Sequence, residues 1–169
     1  MVKTLYDFFQ NKSKVFFSLR SGIVAIIVAT SFQSLYAANI SLSPSSFTTK
    51  VGKTFTVDVL VTNNLDAINA VSGVLSFPQD ALQVVSLSKS GSFITMWAEE
   101  PAFSNTQGTA SFEGVALNPG FSKASGKVIS FTFKAKQAGN VNITVKSGSV
   151  LANDGNATDV IKVMGSAFV

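Results

Sequence analysis

Outside the N-terminal segment, eight carboxylates are the whole stock of groups with which this chain could do acid–base chemistry: Asp58, Asp66, Asp80, Glu99, Glu100, Glu113, Asp154 and Asp159. The 169 residues include no His and no Cys. That removes the commonest general base, the thiol nucleophile and the ligands of a structural zinc site. What remains is the carboxylate pair of a glycosidase. Glu113 is the first candidate to weigh. It lies in the run Thr109 to Leu117, where Ser111, Glu113 and Val115 oppose Ala110, Phe112, Gly114 and Ala116 in parity, so its face depends on which set is buried. A solvated strand carboxylate is the preferred reading. Glu99 and Glu100 stand side by side near Trp97, but adjacent residues in an extended segment point apart and do not converge on one bond. No catalytic residue is assigned, and the chain is read as a non-enzyme.

A second cluster, Asn153-Asp-Gly-Asn-Ala-Thr-Asp159, brings Asp154, Asn156 and Asp159 close in sequence, and oxygen ligands of this type suit calcium. The segment lacks the ligand spacing and terminal Glu of an EF-hand loop. Asp-Gly and Asn also serve tight turns, where they accept positive φ, and the turn is the preferred reading. No cofactor is expected. Sugar binding would need exposed rings that stack on pyranose faces. Tyr6 and Tyr36 lie in the N-terminal segment, leaving Trp97 as the only Trp. Trp97, Phe103 and Phe121 are the aromatics expected on loops that could form a platform, although a sandwich also caps its core with such rings, which is the favoured alternative.

The elements that must hold these groups read as strands. In Val71 to Leu87, VSGVLSFPQDALQVVSL, the residues Val71, Gly73, Leu75 and Phe77 share one parity while Ser72, Val74 and Ser76 take the other. Pro78, with no N–H to donate, ends the first strand. The run Leu82 to Leu87 then suits a strand packed on a core. Thr54 to Thr62 alternates with Phe55, Val57, Val59 and Val61 inward. Asn39 to Ser43, Thr109 to Leu117, Lys127 to Lys136, Val141 to Lys146 and Asp159 to Val163 complete the regular strands, with Gly52, Gly108, Gly126 and Gly139 at turns. Short pieces near Phe93 and Val150 bring the count to about nine. Met96 to Gln107 reads as an irregular loop containing Pro101. Apolar spacing of three and four is absent after Ala38, so the expected fold is all-β, a two-sheet antiparallel sandwich.

The chain opens with Lys3, Lys12, Lys14 and Arg20 ahead of the apolar run 22–29, followed by Ser34-Leu-Tyr-Ala37. This pattern is that of a secretory signal over residues 1–37, with an uncleaved anchor as the alternative. Residues 38–169 then form one domain, secreted or displayed at the cell surface. They carry nine Lys, no Arg and eight acids. A balance near neutrality offers no basic stripe for nucleic acid. No second apolar span follows Val163, so no membrane span is expected in the mature part. The end at Val169 fits a minimal module or an incomplete reading frame. Without disulfides, stability must come from packing alone.

Five motifs in order resemble a cohesin domain: Gly52-Lys-Thr-Phe-Thr-Val57, Val74-Leu-Ser-Phe-Pro-Gln-Asp-Ala-Leu-Gln-Val-Val-Ser86, Gly108-Thr-Ala-Ser-Phe112, Ile129-Ser-Phe-Thr-Phe-Lys-Ala135 with Gly139, and Gly148-Ser-Val-Leu-Ala-Asn-Asp-Gly-Asn-Ala-Thr-Asp-Val160. The resemblance implies a nine-stranded jelly-roll-like sandwich related in architecture to carbohydrate-binding modules of families 2 and 3. It also implies a non-catalytic receptor for dockerin modules in extracellular polysaccharide-degrading assemblies; cohesin-like domains occur in other surface proteins too. The partner-binding face would then comprise Ala70, Ser72, Val74 and Ser76, with Ser111, Glu113 and Val115 as neighbours. In type I members the outward positions matching Ala70 and Ser72 carry an Asn and an Asp that hydrogen-bond the dockerin, and those contacts cannot form here. A carbohydrate-binding module and a structural surface domain are the competing readings.

Overall fold

The computed structural model describes residues 37–64 and 67–169. The segment read as a secretory signal, apart from Ala37, and the carboxylate Asp66 lie outside the described residues. Ten strands follow in order: β1 (Ala38–Ser43), β2 (Thr54–Asn63), β3 (Ile68–Ser76), β4 (Leu82–Ser88), β5 (Met96–Ser104), β6 (Thr109–Val115), β7 (Ser125–Ala135), β8 (Asn142–Ala152), β9 (Ile161–Met164) and β10 (Ser166–Phe168). They form two five-stranded sheets, ordered β4-β7-β2-β1-β9 and β10-β8-β3-β6-β5. No helix occurs among the described residues, and so none long and apolar enough to cross a membrane. The all-β sandwich expected from the alternation is the fold observed.

The alternation works because successive side chains leave a strand on opposite faces. Val57, Val59 and Val61 of β2 and Val71 and Leu75 of β3 are fully buried, as are Phe131 and Phe133 of β7. Phe133 sits at the centre of a ring cluster, 5.6 Å from Phe55 in a stacked pair and 5.3 Å from Phe77 edge-on. Phe77 follows β3, so this cluster joins the two sheets. Its main-chain N–H donates to Gly108 O at 2.8 Å, and a Cβ at Gly108 would stand 2.3 Å from Phe77 O. With φ at 62°, Gly108 is required both by its backbone conformation and by that close approach.

All ladders are antiparallel except β1 with β9. The chain leaves the first sheet after β9 and joins the second as β10, and Gly165 makes the crossing. Its N–H donates to Ile40 O of β1 at 2.8 Å, while its carbonyl accepts from Val145 of β8 at 3.0 Å. One residue thus ties both sheets together by main-chain bonds.

Five expectations are corrected. Met96 to Gln107 is not a loop: Met96–Ser104 is the edge strand β5, paired only with β6. Register shifts between Trp97 and Glu99 and between Glu99 and Ala102 destroy its alternation, and Pro101 is tolerated because the shifted edge needs no donor there. The piece near Val150 is no separate strand; β8 runs unbroken from Asn142 to Ala152, its register against β3 shifting between Val74 and Leu75. No strand forms at Phe93, whose ring instead stacks on Phe121 at 4.0 Å. The tail also holds one more strand than expected, since β9 is followed by β10. Along Leu82 to Leu87 the burial is interrupted: Val85, 42% exposed, points outward by alternation from buried Val84, and a bulge between Val84 and Ser86 then turns Ser86 outward and Leu87 toward the core. Nearby, the Asn105 side chain pairs with both main-chain groups of Val84, at 2.7 and 2.9 Å, and so covers part of the open edge of β4.

Candidate functional site

Burial of Ala110, Phe112 and Gly114 settles the parity of β6 and turns Ser111 and Glu113 to solvent, with Val115 partly exposed. The register then assembles the seven residues of the expected partner face into rows. Ala70 lies between Val115 and Leu151, Ser72 between Glu113 and Ser149, Val74 between Ser111 and Ser147, and Ser76 between Thr109 and Thr144. Sequence parity located the β3 and β6 members. The β8 members Ser147, Ser149 and Leu151 were missed, because the bulge against β3 breaks the periodicity that would have aligned them.

Small side chains make this surface shallow, and its floor is built from below. Gly73 and Gly148 face each other across the β3–β8 ladder. A Cβ on Gly73 would stand 2.5 Å from the Phe112 ring, and one on Gly148 would stand 2.9 Å from Ser72 O. The Phe112 ring fills the space that side chains on Gly73 would occupy, so the backbone here can sink. The result is a depression of about 390 Å³ over Ser72, Val74, Ser111, Glu113, Ser147 and Ser149.

Electrostatically the face is sparse. Glu113 stands directly across from Glu99 of β5, a like-charge pair of a kind that costs stability in a sheet. The one ion pair among the described residues joins Lys89 to the neighbouring Glu100. None of the hydroxyls of Ser72, Ser76, Ser111, Ser147 and Ser149 takes part in a hydrogen bond within the described residues. Their hydrogen-bonding capacity is turned outward.

The other candidates separate. Trp97 and Phe103 lie on β5, not on a loop, and Phe121 is only 9% exposed beneath the stacked Phe93 ring. Trp97 is partly buried against the core and carries the Lys89 ammonium 5.2 Å from its ring centre. Only Phe103, 40% exposed, presents an open ring. These three aromatics do not make one flat platform. Glu99, Glu100 and Glu113 are all exposed, and Glu99 and Glu100 line the same shallow depression as Glu113.

Asp154, Asn156 and Asp159 form a turn held by their own hydrogen bonds. Asp154 Oδ1 accepts from Asn156 N at 2.8 Å and Oδ2 from the Thr158 hydroxyl; these bonds, Thr158's foremost, hold the Asp154 carboxyl below the usual carboxylate value. Asp159 Oδ1 accepts from Val150 N and Ile161 N at 3.2 and 3.1 Å. The carboxylates cap main-chain donors and do not converge on a common point. Among the described residues no group of three or more acidic, His or Cys side chains could hold a metal ion.

No family model and no curated protein sequence matches the chain. Solved structures do. A two-sheet sandwich with this strand order is consistent with a jelly-roll-like fold, and the solved structures similar to it are cohesins. It is similar to a cohesin of Clostridium acetobutylicum solved in solution, with 16% identity over 79% of this chain and 90% of that one, at a TM-score of 0.64. The third cohesin of the scaffoldin ScaC from Acetivibrio cellulolyticus, solved with a ScaB dockerin, matches at 20% identity over 79% and 98% of the two chains, at 0.62. A non-cellulosomal cohesin from the hyperthermophilic archaeon Archaeoglobus fulgidus matches at 19% identity over 78% and 90%, at 0.60. The chain has a cohesin-like fold.

Proposed function

We propose that this chain is a non-catalytic binding module of cohesin type that receives a protein partner on the outer face of β8, β3 and β6, in a secreted or surface-displayed protein. The observation that carries the reading is the uncommitted face itself: a shallow surface of Ser, Ala and Val whose hydroxyls have no internal partners. Small residues let a helix backbone approach closely, and free hydroxyls can hydrogen-bond it. Support also comes from the neighbour of A. cellulolyticus, solved in complex with a dockerin, and from a type I cohesin–dockerin complex of Clostridium thermocellum, similar at 12% identity and a TM-score of 0.62. With Ala70 and Ser72 at the positions where type I members carry Asn and Asp, the partner is a dockerin-like module of altered specificity or another surface protein.

The test is calorimetry of the purified chain against a panel of dockerin modules, beside pull-down from the secreted proteins of its own cells and retention on insoluble cellulose. A saturable protein partner, lost in Ser72→Arg and Val74→Arg variants that remain folded, is expected. Retention on polysaccharide abolished by Trp97→Ala, with no protein partner, would overturn the reading.

A further inference from the structure

A separate cavity lies at the end of the sandwich where the β1–β2 and β7–β8 connections meet the C-terminal strand. It encloses about 890 Å³ and opens to solvent. We propose that this cleft binds a neutral oligosaccharide, with Phe168 as its stacking ring.

The argument begins with the ring. Phe168 is 58% exposed, the most exposed large apolar side chain of the described residues. Its neighbour Ala167 is fully buried, so the strand alternation turns Phe168 outward. Directly across the β10–β8 ladder stands Asn142, on the same face. Opposed side chains in an antiparallel pair have Cβ atoms about 5 Å apart. An open ring beside an amide suits a sugar, whose C–H face packs on the aromatic while its hydroxyls meet a group that both donates and accepts.

The remaining wall has matching chemistry. Thr48, Gln137 and Asn140 line the cleft together with Asn142 and Phe168. None of these polar side chains takes part in a hydrogen bond within the described residues. Lys50 is the one charged side chain on the lining, so a phosphate or a polyanion would find little compensation there. Phe47 floors the cleft, its ring held 4.6 Å from Phe55 and thus anchored to the core. The inner wall is therefore fixed.

An extended peptide is the other occupant such a groove could take, and it would add to the sheet through main-chain bonds. That route is already filled. Phe47 N donates to Phe168 O at 3.0 Å, and Phe168 N donates to Ser45 O at 2.9 Å, so residues 45–47 cover the outer edge of β10. Val141 and Val169 exchange two further bonds, at 3.0 and 2.9 Å. Recognition in this cleft must come from side chains and a ring, which favours a carbohydrate over a strand-forming peptide.

The site lies away from the centre of the proposed partner face, whose near end, Ser76, pairs with Thr144 two residues from Asn142. Seven residues of β8 separate Asn142 from Ser149, about 20 Å at the rise of a strand. The experiment is amide-resolved NMR titration of the isotope-labelled chain with the β-1,4-linked hexasaccharides of glucose, xylose and mannose at millimolar concentration. At least one hexasaccharide should shift amides of residues 46–50, 137–142 and 166–169 in a saturable way. Phe168→Ala should weaken that binding about tenfold or more, the scale of one lost stacking contact. Asn142→Ala should weaken it too, whereas Trp97→Ala should leave it unchanged. Because Phe168 is on the surface, the variant's undisturbed amides elsewhere certify the fold. Absence of shifts with all three sugars, shifts centred on Trp97 and Phe103, or saccharide binding unaltered in Phe168→Ala would overturn the proposal. So would a peptide that competes for the cleft where no sugar binds. Failure here leaves the partner-face reading standing, since that face is tested by Ser72→Arg.

Discussion

The outer faces of the two sheets are built from similar residue types and use them differently. On the face of β2 and β7, polar side chains are paired across the ladder. Thr56 and Thr132 share a hydrogen bond of 3.1 Å, and the Ser130 hydroxyl donates to Asp58 Oδ1 at 2.6 Å. On the face of β8, β3 and β6, the hydroxyls of Ser72, Ser111, Ser147 and Ser149 are left unpaired and two carboxylates oppose each other. One face spends its polar groups on its own stability; the other keeps them for contact with something else. Hydroxyl content alone does not mark a binding surface. The cross-strand register does, because it decides whether a polar group finds a partner at home.

The largest effect probes the core that both faces share. Phe133→Ala should cost about 3–5 kcal/mol, since it removes a fully buried ring that contacts Phe55 and Phe77 and leaves a cavity between the sheets. Urea denaturation measures it. Any loss of partner binding in this variant should follow the unfolded fraction, and binding lost while the fold persists would argue that the faces are not supported by one core.

The next effect separates the faces. Asp58→Ala leaves the nearly buried Ser130 hydroxyl without its acceptor and should cost about 1–3 kcal/mol in the same assay, with partner binding unchanged. The matching change on the other sheet, Glu113→Ala, should alter stability by about 0.5 kcal/mol or less, since it removes an exposed side chain and relieves a like-charge pair. If Glu113→Ala proved as destabilising as Asp58→Ala, the contrast between the faces would fail.

The smallest effect lies on neither face, in the turn at Asp154. Its carboxyl is held below the usual value of 3.8 by the Thr158 hydroxyl and the Asn156 N–H. A depressed carboxylate stabilises the fold above its unfolded pKa, and that contribution is lost as pH falls through the folded one. The difference in melting temperature between the chain and its Asp154→Ala variant should therefore be present at neutral pH and vanish in acid well below 3.8. Because the turn's carboxylates cap main-chain donors, calcium or a chelator should leave the melting temperature unchanged. A rise with calcium would restore the metal reading.

Where one side of a strand is buried and pairing is regular, the sequence was readable. Val71, Leu75 and Phe77 lie inward and Ser72, Val74 and Ser76 outward, as the alternation in Val71 to Leu87 requires. It became unreadable wherever a bulge intervened. Ser86 turned outward and Leu87 inward, β5 passed for a loop, and Ser149 and Ser147 gave no sign that they flank Ser72 and Val74. A bulge adds one residue to one strand only, so it reverses parity without changing composition. Trp97 and Phe121 were also misplaced in kind, since an aromatic among turn residues looks the same whether it stacks on another ring or faces water.

Alternation, turn residues and the absence of His and Cys determined by themselves that this is an all-β sandwich without the usual catalytic groups, since those properties are local or simple matters of inventory. Order among the five motifs carried the resemblance to cohesins, and the strand topology agrees. Only the tertiary structure decided which polar residues were left without partners, because pairing depends on residues as far apart as Asp58 and Ser130. It also made a cleft from three segments, 46–51, 137–142 and 168–169, that the sequence shows merely as connections and an end. A hydrogen bond or a cavity belongs to the fold as a whole, and no window of sequence contains both of its sides.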